Sequence, residues 1–170
     1  MKILVLSDTH GHLERAEQVL RRIGGQMDMV FHLGDHDLDA MELQREFPKL
    51  PFHFVRGNND FSMQTPDKKL VRAGGRVLLL THGHKQRVHW SPDPIAYWAE
   101  EQGADIVLFG HTHLPLWDDS GRTALFNPGS LSLPRGGGMP TFGILTIEAG
   151  RMEGAIMEYW DAETFRRKER

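Results

Sequence analysis

Five short apolar runs in this chain each end in a cluster of small polar residues, and that repeated junction narrows the accessible folds most. Ile3-Leu4-Val5-Leu6 runs into Ser7-Asp8-Thr9-His10, and Met29-Val30-Phe31-His32-Leu33 into Gly34-Asp35. Phe52-His53-Phe54-Val55 comes just before Gly57-Asn58-Asn59-Asp60. Val77-Leu78-Leu79-Leu80 leads to Thr81-His82-Gly83-His84, and Ile106-Val107-Leu108-Phe109 to Gly110-His111-Thr112-His113. A short run that is apolar without alternation is expected to be a strand covered on both faces. Open α/β sheets bind their ligands beyond the carboxyl ends of the strands. The five clusters are therefore predicted to converge on one rim.

The segments between the runs read as helices at first. Leu13, Ala16, Leu20 and Ile23 recur at helical spacing, and Gly24-Gly25 stops that helix. A second helical stretch covers 38–47 and ends at Pro48. Asp93-Pro94 reads as an N-cap followed by proline at the first helical position, with Ile95, Trp98 and Ala99 on one face of the helix. Beyond Phe109 the pattern changes: 114–117, 123–126, 141–147 and 155–159 read as strands joined by turns. The prediction is an α/β chain, α+β in its last third: a four-layer αββα sandwich of two mixed β-sheets flanked by helices, in one domain over residues 1–170. The charged residues 166–170 are expected to form a solvated tail.

Composition limits the chemistry. The 170 residues include 20 Lys+Arg against 23 Asp+Glu, a formal net charge of -3, so the basic excess usual in a general nucleic-acid binder is missing. There are ten histidines and no cysteine, which excludes a disulfide scaffold and any Cys-ligated zinc or iron–sulfur site. A metal would have to be held by His, Asp, Glu or Asn. Carboxylate, imidazole and amide carbonyl suit Mn²⁺, Fe²⁺ or Zn²⁺. One residue separates Asp8 from His10, and one separates His111 from His113; in an extended segment each pair would point two ligands the same way. Glycines at 11, 34, 57, 83 and 110 would let the backbone turn tightly there. After Met1-Lys2 only four apolar residues follow, whereas a secretory signal needs roughly 7–15 and a membrane span about 20. A cytoplasmic protein without a membrane segment is expected.

The order Asp8-Thr9-His10, Gly34-Asp35, Gly57-Asn58, His82 and Gly110-His111-Thr112-His113 resembles the calcineurin-like metallophosphoesterase superfamily. Ser7 and Gly11 around the first motif, Asp60, Thr81-His82-Gly83-His84, Asn127-Pro128-Gly129-Ser130 and Pro134-Arg135-Gly136-Gly137 resemble its short YfcE-type phosphodiesterase branch. The resemblance implies two divalent metal ions. Asp8, His10, Asp35 and His113 would hold one, and Asp35, Asn58, His82 and His111 the other, with Asp35 bridging. Mn²⁺ is the first expected ion, with Fe²⁺, Zn²⁺, Ni²⁺ or Mg²⁺ as alternatives. It also implies that a metal-bridging hydroxide attacks a phosphodiester, or a phosphomonoester, in line. The same seven residues are then the catalytic set.

One position departs from the family. Where well-studied members carry His after the second-motif Asn, and the YfcE-type branch often carries Cys, this chain has Asn59. An amide cannot act as a general acid at neutral pH, and that contribution is typically worth about 10²–10⁴-fold. Slow turnover of esters with poor leaving groups is expected, with His12, His36 or His84 as candidates to replace the acid. Two rival readings remain: a non-catalytic protein-binding scaffold, as the retromer subunit of the same fold is known to be, and a nuclease. Retention of every ligand position favours the enzyme, and the lack of a basic excess ranks the nuclease lower. The expected partner is a small phosphate ester, with no membrane and no general nucleic-acid binding; homo-oligomer formation stays open.

Other residues carry blander expectations. Asp60 is read as a buttress for a ligand, and His32 and His53 as packing or hydrogen-bonded histidines. Asn127-Pro128-Gly129-Ser130 is a turn, placed near the site by the resemblance but without a catalytic role. Trp90, Tyr97 and Trp98 are read as core packing, and His89 carries no reading.

Overall fold

The computed structural model of the chain describes residues 1–161 and 164–168. Among these, eleven strands and three α-helices run in the order β1 (Lys2–Leu6), α1 (Glu14–Ile23), β2 (Met29–His32), α2 (Asp37–Glu46), β3 (Phe52–Phe54), β4 (Lys68–Ala73) and β5 (Arg76–Thr81). There follow α3 (Asp93–Glu101), β6 (Ile106–Leu108), β7 (Leu116–Asp118), β8 (Ala124–Asn127), β9 (Thr141–Glu148), β10 (Arg151–Asp161) and β11 (Thr164–Arg167). They form a six-stranded sheet, β11-β10-β9-β1-β2-β3, and a five-stranded sheet, β4-β5-β6-β8-β7. Both are mixed. β1 pairs parallel with β2 and antiparallel with β9, while β6 pairs parallel with β5 and β8.

The unbroken apolar runs follow from burial on both sides of a sheet. In β1, Ile3 and Val5 point into the core between the sheets, joining Phe31, Leu78, Leu80, Ile106, Leu108 and Phe126. Leu4 and Leu6 point outward, where Ala16, Val19 and Leu20 of α1 and Leu43 of α2 cover them. On the other outer face, Leu79 and Val107 meet Ile95 and Ala99 of α3. Each of these fully buried leucines contributes roughly 1.5–3 kcal/mol through its removal from water. The result is the predicted αββα layering. Among the described residues, no helix is long and apolar enough to cross a membrane.

Local expectations need correction in four places. Strand β4 was not predicted: Lys68, Leu70 and Arg72 are exposed and only Val71 and Ala73 are buried, so it lacks an apolar run. It lies at a sheet edge, where lysines discourage pairing with another chain. The third helix is capped by Pro92, with Asp93 as its first residue, so Asp93 is not the N-cap. Part of the expected tail is a strand, since Arg166 and Arg167 in β11 pair with Glu158 and Met157; Glu169 and Arg170 lie outside the described residues. Finally, Trp90 and Tyr97 are exposed, Tyr97 because it falls on the outer face of α3 opposite Ile95 and Ala99.

Candidate metal centre

The turns after β1, β2, β3, β5 and β6 meet between the carboxyl ends of the two sheets. Backbone hydrogen bonds tie them together. The Asp8 amide donates to Gly34 O at 3.0 Å and the Gly110 amide to His82 O at 3.1 Å. Two glycines permit the close approach: a Cβ on Gly57 would collide with the Asp35 carboxylate, and one on Gly110 with the Ser7 hydroxyl.

The ligand-bearing turns are not extended. Asp8, His10, Asp35, His111 and His113 all have φ between +50° and +66°, a left-handed region that non-glycine residues seldom occupy and that Asp and His tolerate better than most. The two Asp-x-His and His-x-His pairs therefore converge through left-handed turns, and not through the alternation of a strand. Such conformations cost on the order of 1 kcal/mol or more each and cluster at functional sites.

Side-chain atoms converge in two groups whose members lie within 4.8 Å of one another: Asp8, His10 and His113, and Asp8, Asp35 and His82. His113 Nε2 is 3.2 Å from Asp8 Oδ1, and His82 Nε2 is 3.9 Å from the same oxygen. Asp35 spans the two groups, with Oδ1 3.3 Å from His82 Nε2 and Oδ2 3.7 Å from His10 Nε2. Asp8 Oδ1 and His82 Nε2 are buried without a hydrogen-bond partner. An unsatisfied buried polar atom costs on the order of 1–3 kcal/mol, and a divalent cation between these two atoms would satisfy both. The donor set, imidazole nitrogens and carboxylate oxygens, is that of a metal such as Mn²⁺, Fe²⁺ or Zn²⁺.

A layer of neighbours orients the ligands. His82 Nδ1 donates to Leu33 O and His113 Nδ1 to Leu133 O, both at 2.7 Å. Each bond leaves the Nε2 lone pair facing the centre, a common device for metal-binding histidine. Asp8 Oδ2 accepts the Ser7 hydroxyl at 2.6 Å and the His111 amide at 3.0 Å, so only Oδ1 is free. Asp60 accepts the His36, Asp37 and Gly57 amides at 2.7–2.8 Å and so ties together the turns that carry Asp35 and Asn58, without touching a ligand side chain itself. The turn 127–130 also lies at the site: Asn127 Nδ2 donates to Gly110 O, and the Ser130 hydroxyl donates to Asp8 O. Fully buried His32 links two turns. Its Nδ1 accepts the Gly34 amide at 3.3 Å, so its Nε2 carries the proton donated to Thr9 Oγ1 at 3.0 Å. His53 packs edge-on against Phe31, as expected of a strand histidine.

The electrostatics match the geometry. Burial works to raise the pKa of Asp8, but His113 and His82 outweigh it and hold the carboxyl below its ordinary value. Asp35 is depressed in the same way by His82 and Asn59 against its burial. For His82 and His113, burial favours the neutral ring, yet the carboxylates beside them win and raise both pKa values. His10 is lowered, chiefly by burial. His111 falls to about 4 through burial and through His82 and His89, so its ring is neutral at neutral pH.

The remaining predicted residues sit less tightly. His111 is half-buried, its ring 5.1 Å from that of His82. Asn58 is exposed on the turn after β3. Asn59 donates to both Asp35 oxygens, from its amide at 3.0 Å and its side chain at 2.7 Å, and so holds the carboxylate. The His36 ring is 5.7 Å from that of His10, and the His84 ring 5.4 Å from that of His82. His12 is exposed, its carbonyl accepting the Ser132 hydroxyl. His89 lies 4.2 Å, ring to ring, from His111. Sequence reasoning missed it, and its only signal was a position five residues beyond His84 in the same loop.

A two-sheet sandwich with a His/Asp cluster at its strand ends is an architecture that can hold divalent metal at that rim. The chain belongs to the calcineurin-like phosphoesterase superfamily, whose domain matches residues 1–150. It is 34% identical over 161 residues to the probable metallophosphoesterase YsnB of Bacillus subtilis, covering 95% of this chain and 91% of that one. It is 31% identical over 170 residues to the phosphodiesterase YfcE of Escherichia coli, covering 85% and 87%. In fold it is similar to wild-type Vps29 complexed with Zn²⁺ from Entamoeba histolytica, with a TM-score of 0.81 at 20% identity over 99% of this chain and 97% of that one.

Proposed function

We propose that this chain is a binuclear metal-dependent phosphoesterase that favours phosphodiesters. Asp8, His10, Asp35 and His113 would hold one ion, and Asp35, Asn58, His82 and His111 the other, with Mn²⁺ the preferred metal. The observation that carries the reading is the pair of converging ligand groups around the unpartnered Asp8 Oδ1 and His82 Nε2. The span of Asp35 between His10 and His82 supports its bridging role. β1 is sandwiched between β2 and the late strand β9, which supports a single domain over residues 1–170.

Two bound divalent ions supply Lewis acidity and lower the pKa of water, so that a nucleophile is available at neutral pH. The residues of the chain set up that chemistry. Leu33 O and Leu133 O fix the ring orientation of His82 and His113, and Ser7 and the His111 amide fix Asp8. Asn59 holds Asp35 and offers no acidic proton, so esters with good leaving groups are the better substrates. Metal would supply most of the charge that receives phosphate, and Arg135 lies close enough to His113 and His89 to add to it. Retention of all seven ligand positions sets this reading above a binding scaffold.

Metal analysis combined with hydrolysis of bis(4-nitrophenyl) phosphate in added Mn²⁺ tests it. About two ions per chain and metal-dependent release of nitrophenolate are expected. A protein that binds no divalent ion and cleaves no ester under these conditions overturns the proposal.

A further inference from the structure

A cavity of about 360 Å³ opens beside Asp35, and the chemistry above does not use it. His36 and Leu38, from the start of α2, form one wall; Asn59, Phe61 and Ser62, from the turn after β3, form the other. Two of its lining residues adjoin the centre: His36 follows Asp35 in the chain, and Asn59 is hydrogen-bonded to the Asp35 carboxylate. The two acids in its lining are engaged elsewhere. Asp60 accepts three backbone amides, and Asp37 accepts the Thr65 hydroxyl at 2.6 Å. No lysine or arginine lines it. Phe61 is 90% exposed and Leu38 68%, so two large apolar side chains face water at the cavity mouth.

These features define what fits. A cation that reaches this wall, Arg56 at Ser62 O, is already paired with Asp67, so a second phosphate or carboxylate would compete with Asp67 and face Asp37 and Asp60. An uncharged ring would cover Leu38 and stack on Phe61, with Asn59 and Ser62 available to polar edges. A phosphomonoester has a single organic substituent, whereas a diester has two and can fill this space as well as the leaving-group side. We infer that the cavity is the subsite for one substituent of a phosphodiester, and that Phe61 and Leu38 select an uncharged aromatic ring at that position. The inference rests on the phosphoesterase reading and narrows its substrate class.

Binding of two unactivated diesters, phenyl methyl phosphate and dimethyl phosphate, to the Mg²⁺-loaded protein tests it by calorimetry. The wild type is expected to bind the phenyl ester about 10-fold more tightly, the size of one ring-stacking contact. Phe61→Ala should abolish that preference and leave dimethyl phosphate affinity unchanged, while Phe61→Tyr retains it. With bis(4-nitrophenyl) phosphate, Phe61→Ala should raise KM about 10-fold and leave kcat in place. Undetectable phenyl ester binding, a wild type without preference, or a preference that survives Phe61→Ala combined with Leu38→Ala overturns the subsite. So does a Phe61→Ala protein that changes only its oligomeric mass, since the face is then an interface between copies. Absence of turnover with every ester and metal overturns the catalytic reading alone, and the binding comparison still decides the subsite.

Discussion

On the β1 side of the centre, Asp8, His10 and His113 lie within reach of one another, and neighbouring groups fix the two that lie deepest, Asp8 and His113. On the β3 side, Asp35 and His82 are equally well held, but Asn58 is exposed and His111 stands only half-buried beside His89. The first group is assembled by protein contacts. Asp8, Asp35 and His82 converge as closely, but the two further ligands proposed for the second ion, Asn58 and His111, lie in neither group and would have to be drawn in. A preorganised site binds more tightly because less ordering cost falls on the binding step. The first ion is therefore expected to be held more firmly than the second.

The harshest challenge to this contrast is Asp35→Ala, because Asp35 faces both groups. Metal content should fall from about two ions towards none, and kcat/KM should drop by more than the roughly 10–100-fold typical of an outer-shell loss. A variant that keeps two tight ions breaks the assignment. Asn58→Ala touches only the looser side. It should lower occupancy to about one ion per chain and reduce activity about 100-fold, with the first site intact by metal titration. Equal loss of both ions would show that the two sides are not separable.

His32 probes the first side from behind. His32→Phe strips partners from Thr9 and the Gly34 amide, so affinity for the first ion should weaken about 10–100-fold. Gln can present both an acceptor and a donor, so His32→Gln should recover part of it. Identical metal affinities in the two variants would remove the positioning role.

Acidity acts on both sides. His82 and His113 have raised pKa values in the metal-free protein. Their imidazolium–carboxylate pairs stabilise that form below the ordinary value of 6.5, and the contribution disappears as pH rises through the raised values. Metal must displace those protons, so Mn²⁺ affinity should fall about tenfold per pH unit per ion as pH drops below them. His10 and His111, with lowered values, add little to this competition. Calorimetric affinity between about pH 8 and pH 6 measures the slope, and a flat profile would mean that neither raised imidazole is a ligand.

The same contrast separates what the sequence discloses from what it does not. The strand-end clusters are legible because an apolar run that stops at Gly, Asp or His is a local event, visible without any partner. The αββα layering follows from the same runs, since Ile3 and Leu4 can both be buried only if each face of the sheet is covered. What stays hidden depends on distant residues. β4 gains its place from pairing with β5 and carries little apolar signal of its own. The left-handed ligand turns sit where Gly34, Gly57 and Gly110 bring separate loops close together, which only the folded chain reveals. His89 reaches His111 only through the fold of its loop.

Asn59 sharpens the comparison at its mildest. The family resemblance marks this position as a missing acid, while the structure shows its side chain spent on Asp35. Asn59→His therefore exchanges two effects. An imidazole near the leaving group contributes general acid catalysis of about 10²–10⁴-fold for unactivated esters, and the lost hydrogen bond loosens Asp35 on the less preorganised side. For phenyl esters the net expectation is a gain of about 10-fold. For 4-nitrophenyl esters, whose leaving group needs no proton, a small loss is expected. The ratio of the two rates, measured on one variant preparation at fixed metal occupancy, isolates the acid from the positioning effect. An unchanged ratio with weakened second-ion binding would make Asn59 solely a holder of Asp35.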